Sequence, residues 1–210
     1  MNIPLAILIF FGLIIFLSSF FTLKQQTSII VERFGKFHSI RQSGLQLKIP
    51  MIDRIAGRVN LKIQQLDVII ETKTKDNVFV KLKVSVQFMV VKETVYDAFY
   101  KLEFPHDQIT SYVFDVVRAE VPKLILDDVF ERKDDIAIAV KRELNEAMTT
   151  YGYTIINTLV TDIDPDIQVK NAMNRINAAD REKTVAEYEA EASRIRIVAK
   201  AKAEAESKRL

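Results

Sequence analysis

Residues 3–23, IPLAILIFFGLIIFLSSFFTL, carry no charge and set the terms for the rest of the chain. As a helix they would be roughly 31 Å long, the depth of a bilayer's hydrocarbon core. Fifteen of the 21 are Ile, Leu or Phe: Ile3, Leu5, Ile7, Leu8, Ile9, Phe10, Phe11, Leu13, Ile14, Ile15, Phe16, Leu17, Phe20, Phe21 and Leu23. Together they favour insertion by roughly 4–7 kcal/mol. A cleaved signal would need a charged n-region, a shorter apolar core and small residues at a cleavage site. Here Met1 and Asn2 are the whole n-region, and Phe20 and Phe21 stand where small residues belong. A buried soluble helix would show a polar face, which this stretch lacks. The pattern predicts a membrane anchor over residues 1–25, either a single span or a shallow hairpin. Lys24, Arg33, Lys36, Arg41 and Lys48 all follow it. The positive-inside rule then predicts a single-pass protein with its N-terminus outside and its C-terminal bulk cytoplasmic. The same cations would each attract anionic lipid by about 1 kcal/mol near the surface.

The chain has 210 residues, enough for one ordinary domain and an extension behind the anchor. A net charge of +2 with mixed signs argues against nucleic acid as a partner. The absence of cysteine excludes disulfides, thiol nucleophiles and Cys-ligated metals. Five glycines and no GxGxxG or GxxxxGK[ST] leave no phosphate-cradling loop.

The stretch 27–34 (TSIIVERF) reads as a strand that Gly35 ends. Leu45, Leu47 and Ile49 alternate with polar residues up to Pro50, a second short strand. Residues 51–57 read as a connector. Val59, Leu61 and Ile63 share one phase, and Leu66, Val68 and Ile70 continue in the other. That slip means either a β-bulge or two separate strands. After a turn at Asp76 and Asn77, Val78, Val80, Leu82, Val84, Val86, Phe88 and Val90 alternate with Lys81, Lys83, Ser85 and Gln87. This predicts a long antiparallel strand with one buried and one wet face.

From Glu93 the period becomes helical. Val95, Ala98, Phe99 and Leu102 suit one helix, and Ile109, Val113, Val116 and Val117 another that Pro122 ends. Asp127 and Asp128, or Asp134 and Asp135, are candidate caps for a third with Ile136, Val140, Leu144 and Met148 inward and Gly152 beyond. Residues 153–163 (YTIINTLVTDI) form a return strand. The fold class is therefore α+β: an N-terminal transmembrane helix, a small antiparallel-sheet domain with packed helices over 26–166, and a long helix over 167–210.

That last segment contains no Gly or Pro and is rich in Ala, Glu, Lys and Arg, all strong helix formers. Ala186 and Ile197 are eleven apart, as are Ala190 and Ala201. An eleven-residue period favours a straight or slightly right-handed bundle of parallel copies. These four residues are the expected oligomerisation seam, against the alternative of a solvated single helix.

These parts, in this order, resemble the SPFH or Band 7 superfamily (stomatin, prohibitin, flotillin, HflK/C). Within it the chain most resembles the plant hypersensitive-induced response proteins. The matching stretches are QQLDVIIETKTKDNVFVKLKVSVQF (64–88), DAFYKL (97–102), YVFDVVRAEVPKLILDDVFERK (112–133), AMTTYGYTIINTLVTDIDPD (147–166) and VKNAMNRINAADR (169–181). The N-terminus departs from those proteins: it lacks a Met-Gly start for myristoylation and looks more like stomatin. The resemblance implies a membrane-anchored scaffold that forms a large ring or cage and organises a membrane microdomain. Its implied partners are membrane lipid and copies of itself. A regulatory subunit of a membrane protease or channel complex is the alternative. No catalytic residues are known for the domain, so the resemblance implies no enzyme.

The residues themselves agree. Asp162, Asp164 and Asp166 alternate, but an EF-hand loop also needs a central Gly and a distal Glu. A helix cap beside Pro165 is the better reading. His38 and His106 fall in separate elements, and no GxSxG elbow accompanies them. No cofactor or metal is expected.

Overall fold

The longest alternation in the chain forms the strand at its centre. A computed structural model describes residue 10 and residues 16–207, with side chains through 201. Among the described residues, eight strands precede and interrupt the helices. They are β1 (Phe20–Leu23), β2 (Thr27–Arg33), β3 (Lys36–Arg41), β4 (Gly44–Leu47), β5 (Asp53–Asn60), β6 (Gln64–Lys73), β7 (Phe79–Val90) and β8 (Tyr153–Pro165). The helices are α1 (Val95–Tyr100), α2 (Pro105–Glu120), α3 (Leu126–Glu131), α4 (Lys133–Thr149) and α5 (Ile167–Ser207). Two compact units result, Met1–Asp164 and Pro165–Leu210.

In the first unit the strands form three sheets, ordered β1-β4, β3-β2-β5 and β6-β7-β8. β6 and β7 make an antiparallel hairpin, Gln64 opposite Phe88 through Lys73 opposite Phe79. Along β7, Val80, Leu82, Val84, Val86, Phe88 and Val90 are all buried, as the alternation predicts. Helices α2 and α4 supply the other side of that core. Ile109, Val113, Val116 and Val117 are buried on α2, and Ile136, Val140, Leu144 and Met148 on α4.

The expected spanning helix is overturned at its C-terminal end. Phe20, Phe21 and Leu23 lie in β1, which pairs antiparallel with β4, Phe20 opposite Leu47 and Leu23 opposite Gly44. Ser19 begins the exchange by accepting a hydrogen bond from the Lys48 amide at 2.9 Å. Aromatic and β-branched residues after Ser18-Ser19 suit a strand, and their partner lies more than twenty residues away, where a local hydropathy reading does not look. Phe10, Phe16 and Leu17 are helical and exposed. The remaining anchor residues, Ile3, Leu5, Ile7, Leu8, Ile9, Phe11, Leu13, Ile14 and Ile15, lie outside the described residues. No helix among the described residues is long and apolar enough to cross a membrane. The single-pass topology, and with it the orientation with the N-terminus outside, is thereby corrected.

Other differences are local. The phase slip at 64–65 separates two strands in different sheets, β5 beside β2 and β6 beside β7. The connector at 51–57 is largely β5, and β3 occupies a stretch with no strand pattern of its own. The acidic pairs at 127–128 and 134–135 sit in the first turns of α3 and α4 but do not cap them. The cap for α3 comes from the hairpin turn, where the Asp76 carboxylate accepts from the Leu126 amide at 3.1 Å.

Helix α1 joins two of the sheets: its Ala98 carbonyl accepts the Tyr153 hydroxyl of β8 at 3.3 Å, and its Tyr96, Phe99 and Tyr100 meet the sheet of β3, β2 and β5. A Cβ on Gly57 of β5 would overlap the Phe99 ring. The next residue, Tyr100, donates its hydroxyl to Glu32 of β2 at 2.7 Å, and Phe37 of β3 meets Tyr96 edge-on at 4.9 Å. Overpacking of this kind costs about 1–3 kcal/mol. Gly57→Ala is therefore expected to lower the unfolding free energy measured by urea denaturation by that amount, and the loss should shrink in a Phe99→Ala background. Equal losses in both backgrounds would show that the ring does not set the constraint.

Candidate assembly surface

Helix α5 runs unbroken for 41 residues, about 60 Å. Its start follows from local chemistry. Asp166, just after Pro165, accepts the Gln168 amide on its carboxylate at 2.9 Å, so this member of the acidic triplet is a helix cap. From Asn174 to Ala201 every residue is exposed. The large apolar ones include Ile176 (61% exposed), Tyr188 (73%) and Ile197 (66%).

The turn of the helix sorts these residues. At about 100° per residue, Ala186, Ala190, Ile197 and Ala201 fall within one narrow stripe, which Ala172 and Ala179 extend toward the N-terminus. Val185, Tyr188, Ala192, Ile195 and Ala199 fall in a second stripe, roughly half a turn away. The helix thus presents a row of small side chains on one side and bulkier apolar ones on the other. Sequence reasoning found the first row and missed the second. Its signal was the three-and-four spacing of Val185, Tyr188, Ala192, Ile195 and Ala199, obscured by charged neighbours at every step.

His38 is on β3 and His106 on α2, where its ring meets Phe88 edge-on at 5.7 Å. Asp162 and Asp164 remain on β8. Among the described residues no group of three or more His, Cys, Asp or Glu is placed to hold a metal ion.

Two carboxylates of the first unit are held far below their ordinary range, and both serve structure. Asp53 lies at the start of β5 with its side chain only 3% exposed. It accepts the Arg33 Nε–H at 2.8 Å and the Ile49 amide at 2.9 Å, and these hydrogen bonds draw its pKa down to about 2. Asp67 on the wet face of β6 is likewise lowered to about 2 by Lys83, Gln65 and Ser85. Its donors stand at 2.9, 2.9 and 2.7 Å. Being open to solvent, that cluster contributes little to stability.

Residues 21–196 match the SPFH domain / Band 7 family. The chain belongs to the SPFH/Band 7 family. Hypersensitive-induced response protein 4 of Arabidopsis thaliana is 48% identical over 172 residues, 81% of this chain and 59% of that protein. The mitochondrial stomatin-like protein 2 of Homo sapiens is 30% identical over 171 residues, again 81% of this chain and 48% of the relative. The chain thus spans about half the length of the curated relatives it matches. The SPFH match covers all of β2–β8 and α5 through residue 196, so Ala186 and Ala190 lie within it and Ile197 and Ala201 lie beyond it.

Asp53 supplies a test of how the SPFH sheet is held. Its carboxyl is more acidic folded than unfolded, so its contribution is complete above about pH 4 and lost as pH falls toward 2. Asp53→Asn should therefore lower the urea midpoint at neutral pH, with the gap to the parent protein closing between about pH 4 and pH 2. A gap that stays constant over that window would mean the ion pair is not its source.

Proposed function

We propose that this SPFH chain is a non-enzymatic scaffold subunit that assembles with copies of itself, side by side through α5, into a large ring or cage. One observation carries the reading: a 41-residue helix, exposed from Asn174 to Ala201, bears two apolar stripes on opposite sides. A long helix without packed neighbours is only marginally stable in water. A single stripe would be satisfied in a pair. Two opposed stripes are satisfied only when each helix has a neighbour on both sides, which is the geometry of a wall. The alanine row of one helix accepts Val185, Tyr188 and Ile195 of the next. Such a head-to-tail contact closes into a ring when the rotation between copies divides a full turn. Family membership supports the scaffold class.

Particle mass by light scattering, with negative-stain imaging, tests this. The parent chain is expected as a large closed particle. Ala190→Glu with Ala201→Glu should reduce it to single subunits, and Val185→Glu with Ile195→Glu should do the same from the other side. Mixed together, the two variants keep one intact stripe each and should form one-to-one pairs and nothing larger. A parent chain that stays monomeric, or variants that assemble normally, would refute the wall. A fixed second protein in stoichiometric amount would favour a regulatory subunit instead.

A further inference from the structure

Ser28 of β2 is 0% exposed, and its hydroxyl has no hydrogen-bond partner. Sealing a hydroxyl away unpaired forfeits the bond it makes to water in the unfolded chain, so native interiors rarely do it. The surrounding core supplies no reason for the choice. Ile29, Ile30 and Val31 follow on the same strand, all buried, and an apolar residue at 28 would avoid the cost.

The same serine lines a cavity of about 150 Å³. Separate stretches of the first unit build its walls. Gln25 and Gln26 come from the β1–β2 turn, Ser43 from the β3–β4 turn, and Leu61 from just beyond β5. Lys92, two residues past β7, joins them. These walls are tied to one another. The Leu61 amide donates to the Gln26 carbonyl at 3.0 Å. Gln26 has φ 57°, a left-handed conformation that glutamine rarely takes. Strain of that kind persists where the surroundings hold it, and it gathers at binding sites. Ser43 Oγ donates to Gln25 Oε1 at 3.2 Å. With that oxygen engaged, the Gln25 amide has its NH2 group left to offer.

Charge and size identify the ligand. No Asp or Glu lines the cavity, and its one charged residue is Lys92. The Lys92 ammonium makes no ion pair among the described residues. The lining therefore offers an ammonium, carboxamide N–H groups and a hydroxyl, from separate elements. Such a set suits an oxyanion, because a hydrogen bond to a charged acceptor is about twice as strong as one to a neutral acceptor. The volume equals about five waters' share of the liquid. That holds one tetrahedral anion and falls well below the roughly 300 Å³ at which sites for drug-sized ligands begin.

We propose that this cavity binds phosphate, either free or as the phosphomonoester of a small soluble molecule. Bound there, the anion ties Lys92 to the β1–β2 and β3–β4 turns and gives the Ser28 hydroxyl its partner. The site lies wholly in the first unit and is independent of the α5 seam.

Thermal unfolding of the full chain in a zwitterionic buffer tests this, with sodium phosphate titrated against sodium chloride at equal ionic strength. The melting temperature should rise along a saturating curve with phosphate and not with chloride. Lys92→Gln, at an exposed position, should raise the half-saturating concentration about tenfold or more. Ser28→Ala separates a binding hydroxyl from a structural one. Without phosphate this variant should match or exceed the parent, since an unpaired buried group has been removed. With phosphate it should fall behind, since its response is lost. A full phosphate response in both variants would overturn the proposal. So would a rise in the parent that stays linear, as surface-excluded salts produce, because the cavity would then hold water alone. Glycerol phosphate distinguishes the two sources: saturation at a lower concentration than inorganic phosphate assigns the ester, and the reverse order assigns the free anion. None of these outcomes bears on particle mass, so this inference and the α5 wall stand or fall separately.

Discussion

A phenylalanine ring resting on bare backbone holds the first unit together. Phe99 occupies the space where Gly57 would carry a Cβ, and through it α1 connects the sheet of β2 and β5 to the core built on β7. Around that contact lie the Tyr100–Glu32 hydrogen bond and the ring contacts of Phe37 with Tyr96 and Tyr100. Close packing of this kind has little tolerance for added volume. The position of β5 depends on one residue having no side chain.

This arrangement explains a division of labour. The interior of the first unit is ordinary, with Val, Ile and Leu from β7, α2 and α4 facing one another. The unusual residues other than Ser28 are on its outside or on α5. Polar groups set against the core hold loops and tie elements together: Asp53 accepts the Ile49 amide, Thr74 accepts the Val78 amide, and Thr158 of β8 donates to the Ala137 carbonyl of α4. What is left over among the described residues is exposed apolar surface of two kinds. One is a rod with two sides, and the other the outer face of β4 and the residues after it, with Leu45, Leu47 and Ile49.

Legibility in the sequence followed how local each cause was. The β7 alternation and the inward set of α4 (Ile136, Val140, Leu144, Met148) depend on near neighbours, and both are plain in the residue pattern. β1 was read as helix because hydropathy over twenty residues reports apolarity and not conformation. Its strand character comes from pairing with β4, which no window contains. β3 and the part of β5 over 53–57 were missed for the same reason: each is a strand chiefly because β2 lies beside it. The small-residue stripe of α5 was visible as a period, while its opposite stripe required the helix to be turned. The alternation of Leu45, Leu47 and Ile49 was also visible, but a period of two does not say which face is wet.

One contact in the β6–β7 turn reaches further than its size suggests. Asp76 accepts both the Thr74 hydroxyl and the Leu126 amide, and the Lys75 amide bonds the Leu124 carbonyl. A turn of one hairpin is therefore the first ligand of a helix fifty residues later. Neither can loosen alone, since opening the turn uncaps α3 and fraying α3 strips the turn of its partner. The hairpin and the start of α3 thus form one cooperative element, which breathes as a whole.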